Sequence, residues 1–238
     1  MENRRHRLKN IEIAVLAIFV VGLLFVSYIP ATAAERYKAQ GLVDNARVTL
    51  KDFMKDSTYR WLQENLDRAK GVLIFPQVLK GGFIWGGSGG TGVFLVKDEK
   101  TGNWGEPAFY TLGSVTFGLQ IGGEASEVVV LAMTQKAINS LLSSSFKLGG
   151  DASIALGPIG GGAKANADIA SVTADFISFA KSKGLYAGLN LEGAVIAVRD
   201  SLNKAYYGRN LRPGDIILRH DISNGMSAEL RKTLKCKC

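Results

Sequence analysis

At Gly71 the hydrophobic period of this chain changes from helical to strand-like, and that change limits the folds open to it. From Glu35 to Ala69 the pattern is helical. At about 100° per residue, Ala39, Leu42, Val43, Ala46, Leu50, Phe53 and Met54 gather on one face. Ser57 is placed to cap a second helix, Thr58 to Ala69, with Trp61, Leu62 and Leu66 turned to a core. Beyond Gly71, the segments Val72–Phe75, Gly82–Gly86, Gly92–Val96, Ala108–Leu112, Ser114–Ile121 and Glu127–Met133 read as short strands. Lys80-Gly81-Gly82, Asp98 to Asn103 and Gly122-Gly123 supply turn chemistry between them. Strands this close in sequence, with no helices between, imply antiparallel pairing.

The second half mixes the two periods. Thr134 caps a helix, Gln135 to Leu142, and strands follow at Ser153–Leu156, Asp175–Ala180, Leu185–Asn190 and Ala194–Val198. Asp200 opens a short helix to Tyr207, and the tail from Ser223 to Leu234 is helical. The expected architecture is one α+β domain over residues 34–238, an antiparallel sheet or partial barrel flanked by helices. Glycine accounts for 28 of 238 residues, well above the usual level of about 7% and without a collagen period. It is read as turns, bulges and close backbone contacts.

Ahead of the domain stands a leader, residues 1–33. Arg4, Arg5, Arg7 and Lys9 precede an apolar run from Ile13 to Ile29, closed by Pro30 and Ala31-Thr32-Ala33-Ala34. That order is the pattern of a secretory signal cut after Ala31-x-Ala33. A run of about 17 residues also reaches the lower limit for a membrane span, so an uncleaved anchor is the alternative. Either reading puts the domain outside the cytoplasm, in the periplasm or secreted, with residues 13–29 as the anchor if they are retained.

Few residues are equipped for catalysis. Two cysteines, Cys236 and Cys238, cannot staple a fold, and two histidines do not make a metal cluster. Gly87-Ser88-Gly89-Gly90-Thr91-Gly92 fits a dinucleotide fingerprint, but a strand pattern rather than a helix follows it. Gly157 to Lys164 resembles a phosphate loop with its lysine displaced. Gly86-Gly87-Ser88-Gly89-Gly90 fits the nucleophile elbow of hydrolases, with His220 as base and Asp200 or Asp215 to orient it. The competing reading of that pentapeptide is a hairpin or bulge that needs positive φ. No cofactor or metal is implied.

Charge is the remaining signal. The chain carries 29 Lys and Arg against 21 Asp and Glu, a net +8. Arg36, Arg47, Lys51 and Lys55 border the apolar stripe of the first helix, with Asp44 among them. A second group, Lys181, Lys183, Arg199, Lys204, Arg209 and Arg212, has Tyr186, Tyr206 and Tyr207 close in sequence. A basic amphipathic helix with aromatic neighbours suits an anionic membrane surface. Nucleic acid, the other polyanion, does not fit an exported protein.

Several blocks stand out in order: Ala69 to Pro76, Lys80 to Phe83, Trp104 with Pro107 to Tyr110, Phe117 to Gly123, Leu148 to Ser153, Gly157 to Gly160, Ser182 to Gly188 and Leu191 to Gly193. Together they resemble the SYLF domain, a lipid-binding family of bacteria and eukaryotes with a yeast actin-binding member, over roughly residues 40 to 209. The resemblance implies a non-enzymatic module that binds acidic phospholipid, phosphoinositide in eukaryotic relatives, partly through a basic N-terminal helix. By position that role falls to Arg36, Arg47, Lys51 and Lys55, with Lys181 and Lys183 as further candidates. The chain departs from the family at Ser88, Gly89 and Gly90, and at Gly161 and Gly162, where relatives often carry Arg. A serine hydrolase using Ser88 and His220, and an envelope protein scaffold, are the other function classes the sequence leaves open.

Overall fold

The computed structural model describes residues 31–82, 85–117, 122–160, 173–182, 191–219 and 222–235. The leader run 13–29, the expected strand at Leu185–Asn190 and both cysteines lie outside these residues. A single long helix, α1 (Ala31–Lys55), opens the described chain. A helical turn at Ser57–Tyr59, α2 (Arg60–Asn65) and a turn at Leu66–Arg68 lead into the sheet. The expected helix from Thr58 to Ala69 is therefore broken into three pieces. Its cap is Asp56, not Ser57: the Asp56 side chain accepts from the Thr58 N–H at 3.0 Å.

Among the described residues, eight strands form one curled, mixed sheet. The central four are long: β1 (Gly71–Gly82), β2 (Trp85–Val96), β3 (Ala108–Phe117) and β4 (Gly122–Ala132). After α3 (Gln135–Leu142) come β5 (Ser145–Lys147), β6 (Ile154–Leu156), β7 (Phe176–Ser182) and β8 (Val195–Val198). Helices α4 (Asp200–Tyr207) and α5 (Pro213–Leu218), a turn at Gly225–Ser227 and α6 (Ala228–Lys235) complete it. The strand order is β5-β8-β3-β2-β1-β4-β7-β6. Among the described residues all pairings are antiparallel except β6 with β7, which is parallel and corrects the antiparallel expectation.

The glycine-rich segments read as turns are strand instead. Gly82–Gly86 and Gly92–Val96 were expected as separate strands. Most of their residues belong to β2, where the intervening Gly87–Thr91 is paired on both sides. The same correction joins Ala108–Leu112 to the start of the next segment in β3. None of Gly86 to Gly90 has positive φ; that conformation occurs at Gly102, Gly149, Gly160, Gly193 and Gly208 among the described residues. A run of glycine offers no side-chain alternation to read, whereas two flanking ladders satisfy its backbone and hold it extended.

Both faces of the sheet are buried over its lower half. Along β1 the residues alternate: Val72 and Ile74 join α1, α2, α4 and α6, while Leu73 and Phe75 join α3, α5 and β8. At Pro76–Gln77 the register slips against both neighbours, as fits a residue with no N–H to give a ladder. The bulge presses β1 onto β2. A Cβ on Gly92 would stand 2.4 Å from the Ile74 carbonyl and 2.5 Å from the Phe75 ring.

The start of β7 is tied down by Asp175, whose carboxylate accepts from Thr134 Oγ1 at 2.6 Å and from the Ser153 N–H and Oγ at 2.9 Å, with Lys136 Nζ 3.3 Å away. Burial alone would raise its pKa, but these bonds outweigh burial and bring it down to about 2 from 3.8. The sign follows: a depressed folded pKa adds stability that is complete above the unfolded value and is lost as pH falls towards 2. Asp175→Asn is expected to lower stability by about 1 kcal/mol at neutral pH, after discounting for solvent screening. Urea midpoints for the two proteins should converge near pH 2; a gap that persists there overturns this assignment.

Candidate functional site

Helix α1 carries most of the residues that the sequence singles out, and the sheet decides what they face. Its stripe is not a free surface. Ala39, Val43, Ala46, Leu50, Phe53 and Met54 are buried in the core formed with β1, β2, β4, α4 and α6, and Leu42 packs against its margin. Helical periodicity reports an apolar face without saying whether lipid or protein will cover it; here the sheet does.

The cations stay outside. Counting at about 100° per residue from Arg36, Arg47, Lys51 and Lys55 lie within about 100° of arc. Arg36, Lys51 and Lys55 are exposed and Arg47 is half-buried. None of these four forms an ion pair with a described residue. Asp44, on the same arc, is exposed and accepts from Gln40 Nε2 at 3.1 Å.

The second group is not gathered into one site. Lys181 Nζ is 3.1 Å from Asp56 Oδ2, an ion pair that fastens the end of β7 to the turn after α1. Thr58 hydrogen bonds, and then Lys181, hold the Asp56 carboxyl below the usual carboxylate range. Lys181 is thus paired with Asp56 at the surface. Lys183 lies outside the described residues. Arg199 and Arg212 stand at the starts of α4 and α5, and Lys204 and Arg209 are exposed.

Ser88 is not on a nucleophile elbow. It sits inside β2, paired with Lys80 on one side and Ser114 on the other, and its Oγ lies 2.7 Å from Ser114 Oγ. An elbow needs a sharp strand-to-helix turn, and none is there. His220, the intended base, lies outside the described residues. Among those described, no group of His, Cys, Asp and Glu is placed to hold a metal.

Two features escaped the sequence. Beside α1, no element among the described residues covers the upper half of β1–β4 on the helix side. Leu79, Gly89, Gly113 and Ala125 form one row across four strands, and Gly81, Gly87, Val115 and Gly123 form the next. Leu79 is 55% and Val115 82% exposed, and Cβ atoms on Gly81 and Gly113 would meet nothing within 4 Å. Where this floor meets α1 there is an open groove of about 320 Å³, lined by residues that include Asn45, Val48, Gln77 and Glu127.

The second feature is a buried acid. Glu106, 4% exposed, accepts from Ser227 Oγ at 2.7 Å and the Asn224 N–H at 3.1 Å, and pairs with Arg231 at 3.2 Å. It ties the segment before β3 to α6, where the flank of α1 carrying Gln40 also arrives: Gln40 Nε2 reaches the Met226 carbonyl at 3.4 Å.

Residues 113–236 match the Ysc84 family, described as Las17-binding protein actin regulator. The chain belongs to the Ysc84 (SYLF) family. LAS seventeen-binding protein 3 of Saccharomyces cerevisiae is 36% identical over 147 residues, 61% of this chain and 32% of the relative. SH3 domain-containing YSC84-like protein 1 of Bos taurus is 31% identical over 163 residues, 68% of this chain and 47% of the relative. This Ysc84-family chain thus spans about a third of the yeast protein and about half of the bovine one. No solved structure matches it. Among the described residues, no helix is long and apolar enough to cross a membrane.

Proposed function

We propose that this domain is a non-enzymatic module that binds anionic phospholipid through the exposed basic edge of α1, Arg36, Lys51 and Lys55 with Arg47 beside them. The observation that carries the reading is their placement: cations with no ion-pair partner among the described residues, along one arc of a helix whose apolar stripe is committed to the core. Attachment is therefore electrostatic and does not require α1 to leave the sheet. The leader sequence supports a site of action outside the cytoplasm.

Each cation near an anionic leaflet contributes about 1 kcal/mol. Neutralising Arg36, Lys51 and Lys55 together to glutamine should then weaken binding to phosphatidylglycerol vesicles on the order of 100-fold, since 1.36 kcal/mol is tenfold. Co-sedimentation should show no binding to zwitterionic vesicles and progressive loss with salt. If the triple variant binds as well as the native chain, the basic edge is not the site.

A protein partner is the second reading. It is supported by the relatives' names, which describe binding to Las17 and regulation of actin, and by the uncovered floor beside α1. Leucine at Gly81 and Gly113 should be accepted by the fold yet obstruct that floor. Crosslinking should recover a stoichiometric partner with the native chain and not with this variant; equal recovery with both removes the floor from consideration.

A further inference from the structure

Helix α1 carries different chemistry on its two flanks. At about 100° per residue from Arg36, the basic edge spans roughly 0–100° of arc, and Asn45, Thr49 and Asp52 fall at roughly 160–220°. That second flank borders the open groove of about 320 Å³, lined by Asn45, Val48 and Thr49 of the helix and by Pro76, Gln77 and Glu127 of the sheet, among others. The groove lies over the bulge, where neither Pro76 nor Gln77 is in register with β4.

Among the described residues that line the groove, only Glu127 is charged. It is half-buried and accepts from Thr49 Oγ1 at 3.2 Å. A carboxylate has about four acceptor sites, so most of its capacity is left over. Its neighbour across the ladder is Lys181, but that ammonium is held by Asp56 at 3.1 Å. Glu127 forms no ion pair with a described residue, and exposed Asp52, one turn beyond Val48, adds a second negative charge to this flank.

The neutral lining is as particular. Asn45 and Gln77 are exposed, and neither side chain hydrogen-bonds to a described residue. A side-chain amide both donates and accepts, which is what an extended main chain needs from a surface it lies on. Val48 is 48% exposed at the rim, and Leu79, 55% exposed, follows Gln77 on the same face of β1. A polyanion would be repelled here, and a wholly apolar segment would strip water from the Glu127 carboxylate without replacing it. A cation on an amide backbone satisfies both demands.

We propose that this groove docks an extended segment of a protein partner that carries a lysine or arginine. The cation meets Glu127, the main chain lies on the Asn45 and Gln77 amides, and apolar neighbours reach Val48 and Leu79. The proposal rests on the protein-partner reading above in taking a protein as the occupant, and it names what that protein must present. Because groove and basic edge lie on different flanks of α1, occupying one leaves the other free.

The test uses the full chain and labelled heptapeptides Gly-Ser-Leu-X-Leu-Ser-Gly, with X as Lys, Arg, Gln or Glu, followed by fluorescence polarisation. The Lys and Arg peptides should bind on the order of tenfold more tightly than the Gln peptide, and the Glu peptide more weakly still. Glu127→Gln keeps an acceptor for Thr49 and should erase that preference. Val48→Lys places a cation at the rim and should abolish binding; because Val48 is exposed, it also tests the groove if Glu127→Gln unfolds the domain. Glu229→Gln, which removes an exposed acid on α6, should bind as the native chain does. The proposal is overturned if the Lys and Gln peptides bind equally, if no peptide binds, or if Glu127→Gln and Val48→Lys keep the preference. It also falls if n-butylamine displaces the Lys peptide at equal concentration, since the occupant is then a small amine. Failure of the protein-partner reading looks different: leucine at Gly81 and Gly113 leaves crosslinking unchanged while the preference set by Glu127 persists.

Discussion

Gly92→Ala is expected to destabilise the domain by about 3 kcal/mol, the upper part of the range for forced overpacking. The methyl group would stand 2.4 Å from the Ile74 carbonyl oxygen and 2.5 Å from the Phe75 ring. Neither can retreat. Ile74 is paired in register with Val93 and Val129, and Phe75 is fully buried in the core on the far side. The same substitution at Gly81, eleven residues earlier in the hairpin, meets open space and should change stability by less than about 0.5 kcal/mol. Urea unfolding of the two variants measures the contrast. Equal losses would mean that the bulge at Pro76–Gln77 does not press β1 against β2.

Glu106→Ala is expected to cost about 3–5 kcal/mol, the range for breaking a buried ion pair from one side. Three groups lose their acceptor: the Arg231 guanidinium, the Ser227 hydroxyl and the Asn224 N–H. Since all three belong to α6 or to the segment leading into it, the loss should be local first. Amide exchange over residues 228–235 should accelerate more than exchange in β1 and β4, which are held by ladders on both sides. Adding Arg231→Leu should restore part of the loss, because an unpaired buried cation would no longer remain. A variant that keeps native exchange in α6 would show that Glu106 does not fasten it.

These two sites mark what the sequence discloses and what it conceals. Helix α3 was legible in full, with Thr134 accepting from the Ala137 N–H and the helix running from Gln135 to Leu142 as its local pattern says. Capping chemistry spans three residues and needs no knowledge of the rest. The apolar stripe of α1 was equally legible, but its partner was not, since lipid and sheet ask for the same side chains. The Glu106–Arg231 contact spans 125 positions, as does Lys181 with Asp56, and nothing near either residue announces the other. Short β5 and α5 were missed because Ser145-Phe146-Lys147 holds a single apolar residue and α5 opens on Pro213-Gly214-Asp215, which reads as a turn. Of the six cations proposed for lipid, the four on α1 share an arc because one helix carries them, whereas Lys181 belongs to a contact only the folded chain creates.

The bare floor beside α1 has a consequence for how the domain can change. Around Pro76 the backbone admits no extra atom, yet Gly81 and Gly113 have ordinary extended geometry and empty space above them. Descendants of this chain can therefore write new chemistry there one side chain at a time, with no helix repacked and no strand re-registered. A cysteine at either position offers the experimenter the same freedom: a reporter on the domain's most permissive ground, a few residues from its least permissive.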